Sequence, residues 1–380
     1  MTRVTVDPEL LLWACDRSGQ SRESLNARFP KLRLWERAEA QPTLKQLEQF
    51  AKATRTPIGY LFLTEPPVER VPIPDLRTVG NVHLGRPSPD LLETVYICQQ
   101  RQEWYRDYAR SVGEPRRDFV RSAHLQDGVV ATASRIRHAL GFDLDERRQM
   151  PTWTEALRRF IDEAEALGVL VMVSGIVGNN THRSLNPDEF RGFALSDDLA
   201  PLVFVNGADT KAAQMFTLAH ELAHIWLGQS GVSDAQAARL PEQQVEVWCN
   251  RVAAELLVPL DLLRAEYQRD EPLRAEMDRL ARHFKVSTLV VLRRIFDTGA
   301  LTGDDFRQAY KEELDRLRAI PRSTGGSFYV ALAARVGKRF ARALVASTLE
   351  GRTLYRDAFR LLGCPKIETF RELGHRLEVA

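Results

Sequence analysis

The chain has 380 residues, 44% of them hydrophobic and 27% charged, with 53 lysines and arginines against 51 aspartates and glutamates for a net charge of +2. That length and apolar content allow two or three domains with buried cores, and the near-neutral balance excludes a molecule that holds nucleic acid by bulk charge. Cys15, Cys98, Cys249 and Cys364 are too widely spaced for a disulfide framework or a zinc knuckle, which points to a reducing compartment. The opening Met-Thr-Arg-Val lacks an apolar signal core and no stretch is apolar enough to span a bilayer, so cytoplasm is expected, with no membrane partner.

Apolar spacing predicts helices from Leu10 to Arg17, from a Ser21 cap to Phe29, and from Thr43 to Thr54. The run from Trp35-Glu36 through Pro42-Thr43-Leu44 to Lys52-Ala53 resembles the end of a Cro/repressor-type helix-turn-helix domain, over residues 6 to 64. It departs from that family where a glycine turn and a full recognition helix belong. Only Phe29 to Leu34 separate Arg28 from Trp35, and Pro30 confines helix to the residues after it, about one turn. Major-groove reading needs several side chains on an exposed helix N-terminus, so docking or dimerisation suits this degenerate region better, and direct DNA binding is left open.

Glu65 to Pro74 is rich in proline and reads as a semi-extended linker. Ser88 to Val112 has helical spacing and gathers Arg101, Trp104, Tyr105, Arg106, Tyr108 and Arg110; such a mixture can stack on bases and neutralise phosphates, but more commonly divides into a buried aromatic face and a solvated charged one. A helix from Thr154 to Leu167 ends at Gly168, and Val169 to Gly175 follows as a short buried strand. Residues 176 to 191 form a polar connection in which His182 or an arginine is a conceivable oxyanion donor, a role left unassigned. Pro201 to Asn206 is the next strand. An edge strand of this small sheet, ahead of the next helix, offers main-chain pairing to an extended peptide.

Asp209 to Gly228 reads as a helix capped by Asp209 and stopped by Gly228, and it contains His220-Glu221-Leu222-Ala223-His224. At 3.6 residues per turn the two histidines share a face and can reach one tetrahedral ion, while Glu221 is offset by one residue toward the remaining position as a general base. A catalytic zinc takes three protein ligands, and a following helix from Glu242 to Pro259 supplies the third. Glu246 is the choice, Glu242 the reserve, and Asn250, one turn after Glu246, suits a supporting amide for one histidine. Zinc is preferred by these donors, and manganese is compatible with them.

Phe216 to His224 followed by Glu246 to Pro259, with the approach Gly192 to Asn206, closely resembles the core of the ImmA/IrrE family of metallo-endopeptidases over residues 165 to 262, about a quarter of the chain. Trp248-Cys249 departs from it, since the family more often has an acidic residue and alanine there. The resemblance implies a mainly helical α+β fold: a zincin-like core with a small sheet and the HExxH helix, between helical terminal domains. It also implies an intracellular gluzincin-like endopeptidase that cuts a DNA-binding repressor or similar regulator under DNA damage or other stress, with His220, His224 and Glu246 on the metal and Glu221 catalytic. The competing expectation is a transcriptional regulator or antitoxin-like protein whose metal site is structural or sensory.

After Pro259, Leu280 to Phe296 reads as a helix end, a break and a second helix beginning near Ser287, with Arg293 and Arg294 exposed. Val330 to Leu349 and Arg352 to Leu362 read as amphipathic helices, with Lys338, Arg339 and Arg342 on a solvated face. Four regions are expected: 1–64 helix-turn-helix-like, 65–150 linker and helix, 151–270 peptidase, and 271–380 helical.

Overall fold

Residues 3–79, 82–83, 86–233, 243–319 and 328–379 are described by a computed structural model. Among them the chain is mainly helical with one four-stranded sheet, an α+β fold. Packing divides it into one unit of Met1–Pro72 with Leu84–Val95 and another of Ile73–His83 with Tyr96–Ala380, so the expected peptidase and C-terminal regions share a unit.

In the first unit, α1 (Pro8–Arg17), α2 (Arg22–Arg28), α3 (Leu32–Glu36) and α4 (Leu44–Ala53) precede a 3-10 turn at Ile58–Phe62. Asp7 and Ser21 cap α1 and α2, and Thr43 with Gln46 closes a capping box on α4. Phe50 meets Phe29 and Trp35 edge-on in the core. The third helix is five residues long and turns Leu32 and Trp35 inward, leaving Arg33 and Leu34 exposed. Its length matches the single turn expected after Pro30.

The pair β1 (Thr78–Val79) and β2 (Val82–His83) leads to the long α5 (Pro89–Val112). Several basic and aromatic residues of α5 are taken up by packing, while Arg110 stays exposed beside Asp107. Arg101 is buried and donates to the Leu361 and Arg335 carbonyls, Tyr105 is buried against Glu114, and Trp104 stacks on Tyr108.

Helices α6 (Val129–Leu140), α7 (Leu144–Gln149) and α8 (Trp153–Leu167) come next; Gly168, at φ +108°, turns the chain from α8 into β3 (Leu170–Ser174). With β4 (Gly192–Leu195), β5 (Leu202–Asn206) and β6 (Gly231–Ser233), β3 forms a sheet of order β3-β5-β4-β6, parallel between β3 and β5 and antiparallel elsewhere. Nearly every strand residue is buried, because helices cover the sheet. Helix α9 (Lys211–Leu227) lies on β4 and β5 and packs against α10 (Gln244–Leu257), which in turn meets α6. Met215, Leu218, Leu222, Trp226, Val252 and Leu256 join one continuous core.

The C-terminal end of α10 is held by guanidinium groups. Arg137 donates to the Glu255 and Leu256 carbonyls at 3.0 and 3.1 Å, the fully buried Arg147 to Leu257, and Arg294 to Val258 at 2.9 Å. These cations satisfy orphan carbonyls and oppose the negative end of the helix dipole.

After α11 (Leu260–Glu266) and α12 (Leu273–Phe284), Lys285 adopts a left-handed backbone, and Ser287 caps α13 (Thr288–Asp297), which begins where the sequence places a second helix. Arg294 is not exposed, however, because Glu255 and the Val258 carbonyl draw its head inward, and Arg293 is only partly exposed. Beyond α14 (Gly303–Ala319), the predicted continuous helix is divided at Gly337, φ +81°, into α15 (Phe328–Val336) and α16 (Lys338–Leu349). A Cβ at Gly337 would stand 2.8 Å from the Val171 carbonyl, which requires glycine where α15 packs along β3. Helices α17 (Tyr355–Leu362) and α18 (Ile367–Arg376) close the unit. Lys338 pairs with Asp162 at 2.7 Å and Arg339 with Glu114 at 2.8 Å, so the basic run is engaged rather than simply solvated.

Glu165 accepts the Arg339 backbone N–H at the start of α16, and burial, only partly opposed by that bond and by Lys338, pushes its carboxyl from 4.5 to about 7. The folded chain therefore holds this proton more tightly than the unfolded chain, and stability falls as pH rises from 4.5 through about 7. Glu165→Gln is expected to remove that decline, gaining on the order of 2–3 kcal/mol over wild type above pH 7. Urea unfolding of both proteins across this pH range measures it.

Candidate metal centre

Helix α9 is capped by Thr210, whose side chain accepts from Ala213 N–H, one residue later than expected; Asp209 is instead paired with Arg191. Gly228, at φ +70°, ends the helix, its N–H returning to His224 and Ile225. Two turns of this fully packed helix carry His220, Glu221 and His224, all at 0% exposure. Helix α10 brings Glu246, 3% exposed, against them.

The donor atoms converge. The Nε2 atoms of His220 and His224 are 3.0 Å apart, and the Glu246 carboxylate lies 3.3 Å from the first and 3.0 Å from the second. A tetrahedral ion with arms of 2.0–2.1 Å separates its donors by about 3.3 Å, so this spacing fits a small divalent cation. Among the described residues, one buried His/Cys/Asp/Glu group has this compactness. Burial tends to raise the Glu246 carboxyl, but both imidazoles outweigh it and hold the acid well below the usual carboxylate range. The arrangement thus offers two imidazole nitrogens and one carboxylate oxygen, the donor set of a zinc or manganese site.

Glu221 points elsewhere. Its Oε1 accepts the Ser233 hydroxyl from β6, while Oε2 has no hydrogen-bond partner among the described residues. Burial pushes its carboxyl up to about 8, against the lowering influence of His224 and of the Ser233 hydroxyl. Ser233 is the register partner of Gly192 on β4, and a Cβ at Gly192 would stand 2.9 Å from Glu221 Oε1, 2.8 Å from the Phe204 carbonyl and 2.6 Å from Thr217 Cγ2. The carboxylate is therefore seated on two strands, over a backbone that must be bare.

The expected roles divide accordingly. His220, His224, Glu246 and Glu221 are brought together. Asn250 is buried one turn beyond Glu246 but makes no hydrogen bond to either imidazole, a departure from expectation. Both rings turn Nε2 toward Glu246 and so carry Nδ1 away; neither Nδ1 nor Asn250 Oδ1 has a partner among the described residues. Glu242 lies outside the described residues. Glu255 faces Arg294, and His182 is exposed on its loop. Sequence reasoning missed Ser233, which comes after the motif in a three-residue strand with no distinguishing pattern. It also missed Gly192, whose position at the head of a strand is a signal of close approach. Cys249, fully buried, completes the surroundings; burial and then the charges of Glu246 and Glu221 keep its thiol protonated.

Residues 164–296 match the family model described as the IrrE N-terminal-like domain, and residues 336–376 match a domain of unknown function. A segment of 91 residues is 34% identical to the radiation response metalloprotease IrrE of Deinococcus radiodurans. That segment spans 23% of this chain and 28% of the relative. Both likenesses support a metallopeptidase of the ImmA/IrrE kind, and the family model places it at residues 164–296.

Gly192→Ala is expected to displace Glu221 or the Phe204 strand and to lower stability by about 1–3 kcal/mol. Denaturant unfolding of the variant beside wild type measures the loss.

Proposed function

We propose that the chain is a zinc-dependent endopeptidase that cleaves a regulatory protein, a helix-turn-helix repressor, in a stress response. The observation that carries this reading is the buried meeting of His220 Nε2, His224 Nε2 and the Glu246 carboxylate beside a glutamate with one oxygen unpartnered among the described residues. His220, His224 and Glu246 hold the ion, and manganese suits the same donors. When bound, such an ion polarises a scissile carbonyl and makes water acidic enough to attack near neutral pH.

Glu221 does the proton work. Its Oε2 takes the proton of the attacking water and returns it to the leaving amine, while Ser233 fixes Oε1 and so the direction in which Oε2 points. The surrounding apolar core excludes bulk water from these transfers. The stress-response setting is supported by the likeness to a radiation response metalloprotease; the repressor as substrate and the cytoplasm as place of action are parts of the same proposal. No described helix is long and apolar enough to cross a membrane.

Glu221→Gln keeps the side chain's size and the Ser233 contact but cannot accept the water proton. Co-expressed with helix-turn-helix repressors encoded beside it, the wild-type chain is expected to cut one of them at a single site, and the variant at least about 10²-fold more slowly. Mass spectrometry of the fragments reads the site, and equal rates for the two proteins would remove Glu221 from the chemistry.

A further inference from the structure

The edge of the sheet beside Glu221 is β6, which comes after the metal-site helix rather than before it. On its inner side β6 pairs with β4, and Ser233 reaches the Glu221 carboxylate. Its outer side is already taken by the end of the proline-rich segment. Leu76 N–H donates to the Val232 carbonyl at 2.9 Å, Val232 N–H donates to the Pro74 carbonyl at 2.9 Å, and Asp75 and Val232 stand in parallel register. The pairing is that of an added strand.

This occupant is built to be held lightly. Pro72 and Pro74 have no N–H, so the ladder cannot extend through them. Pro74 and Asp75 are exposed and Leu76 is half-buried, laid over the bare backbone of Gly231, where a Cβ would stand 2.7 Å from Leu76 Cδ1. A clasp fastens it. The buried Arg77 forks onto Asp75 at 2.7 and 2.6 Å and reaches Glu189 at 3.4 Å.

We propose that residues 74–76 are an internal strap on the peptide-docking edge of the sheet, which an extended substrate displaces in order to lie along β6 one residue from the seat of Glu221. The substrate class is thus an unfolded or locally extended segment offering an ordinary amide and carbonyl at this place, as the strap does. The inference rests on the peptidase reading for what the docked peptide undergoes, and on the Val232 main chain for the docking itself.

The test uses the full chain carrying Glu221→Gln, so that a bound peptide survives. Clasp variants Asp75→Ala and Arg77→Gln are made in that background, with Asp75→Asn beside them, which weakens the clasp but keeps an acceptor for the buried Arg77 where the other two do not fold. The probe is a fluorescein-labelled peptide with the sequence of residues 71–79, followed by anisotropy, together with hydrogen exchange of the Val232 amide. Release of the clasp is expected to tighten probe binding at least tenfold and to speed Val232 exchange in the absence of probe. Equal probe affinity with the clasp intact and broken, whether measurable or nil, would overturn the strap. Zinc uptake by the same proteins is measured separately: its failure would overturn the peptidase reading and leave the strap result standing.

Discussion

Four ionisable side chains, His220, Glu221, His224 and Glu246, are buried together in the core, and the rest of the larger unit is arranged around that costly fact. A buried carboxylate without compensation would take up a proton or unfold its surroundings. Glu246 is compensated by two imidazoles, and Glu221 by one hydroxyl and the nearness of His224. Their opposite displacements, one acid held ionised and the other pushed toward neutrality, arise within a few ångströms on two packed helices. That division separates a group suited to hold a cation from one suited to carry a proton.

Holding those helices still is the work of groups far along the chain. α9 lies on the two central strands of the sheet, and its carboxylate is trapped where β4 has no side chain and β6 has a hydroxyl. α10 is fixed at its far end by Arg137, Arg147 and Arg294, which turn a run of unsatisfied carbonyls into a clamp. The small sheet thus serves less as a catalytic surface than as a seat, with its outer edge near Glu221 closed by the chain's own linker residues.

Much of this is legible locally. The i, i+4 histidines, the glycine that stops α9, the caps of α2 and α4 and the proline-limited α3 all depend on residues within a turn or two of one another. The features that are not legible depend on partners far apart in sequence. Arg294 reads as a surface residue until Glu255 is folded beside it, and the basic run at Lys338 reads as solvated until Asp162 and Glu114 meet it. Ser233 and Gly192 acquire their roles only through the pairing of β4 with β6. Asn250 shows the converse, for a place one turn beyond Glu246 does not ensure a hydrogen bond to either imidazole.

One cation held by these three side chains underlies all of the proposed chemistry. X-ray absorption at the zinc edge, on the full chain loaded with one equivalent, tests it most directly. The prediction is two imidazole nitrogens and carboxylate oxygen at about 2.0–2.1 Å, with the imidazole signal reduced by about half in His224→Ala, where His220 alone remains. A spectrum without imidazole scattering, or one unchanged in that variant, would contradict it.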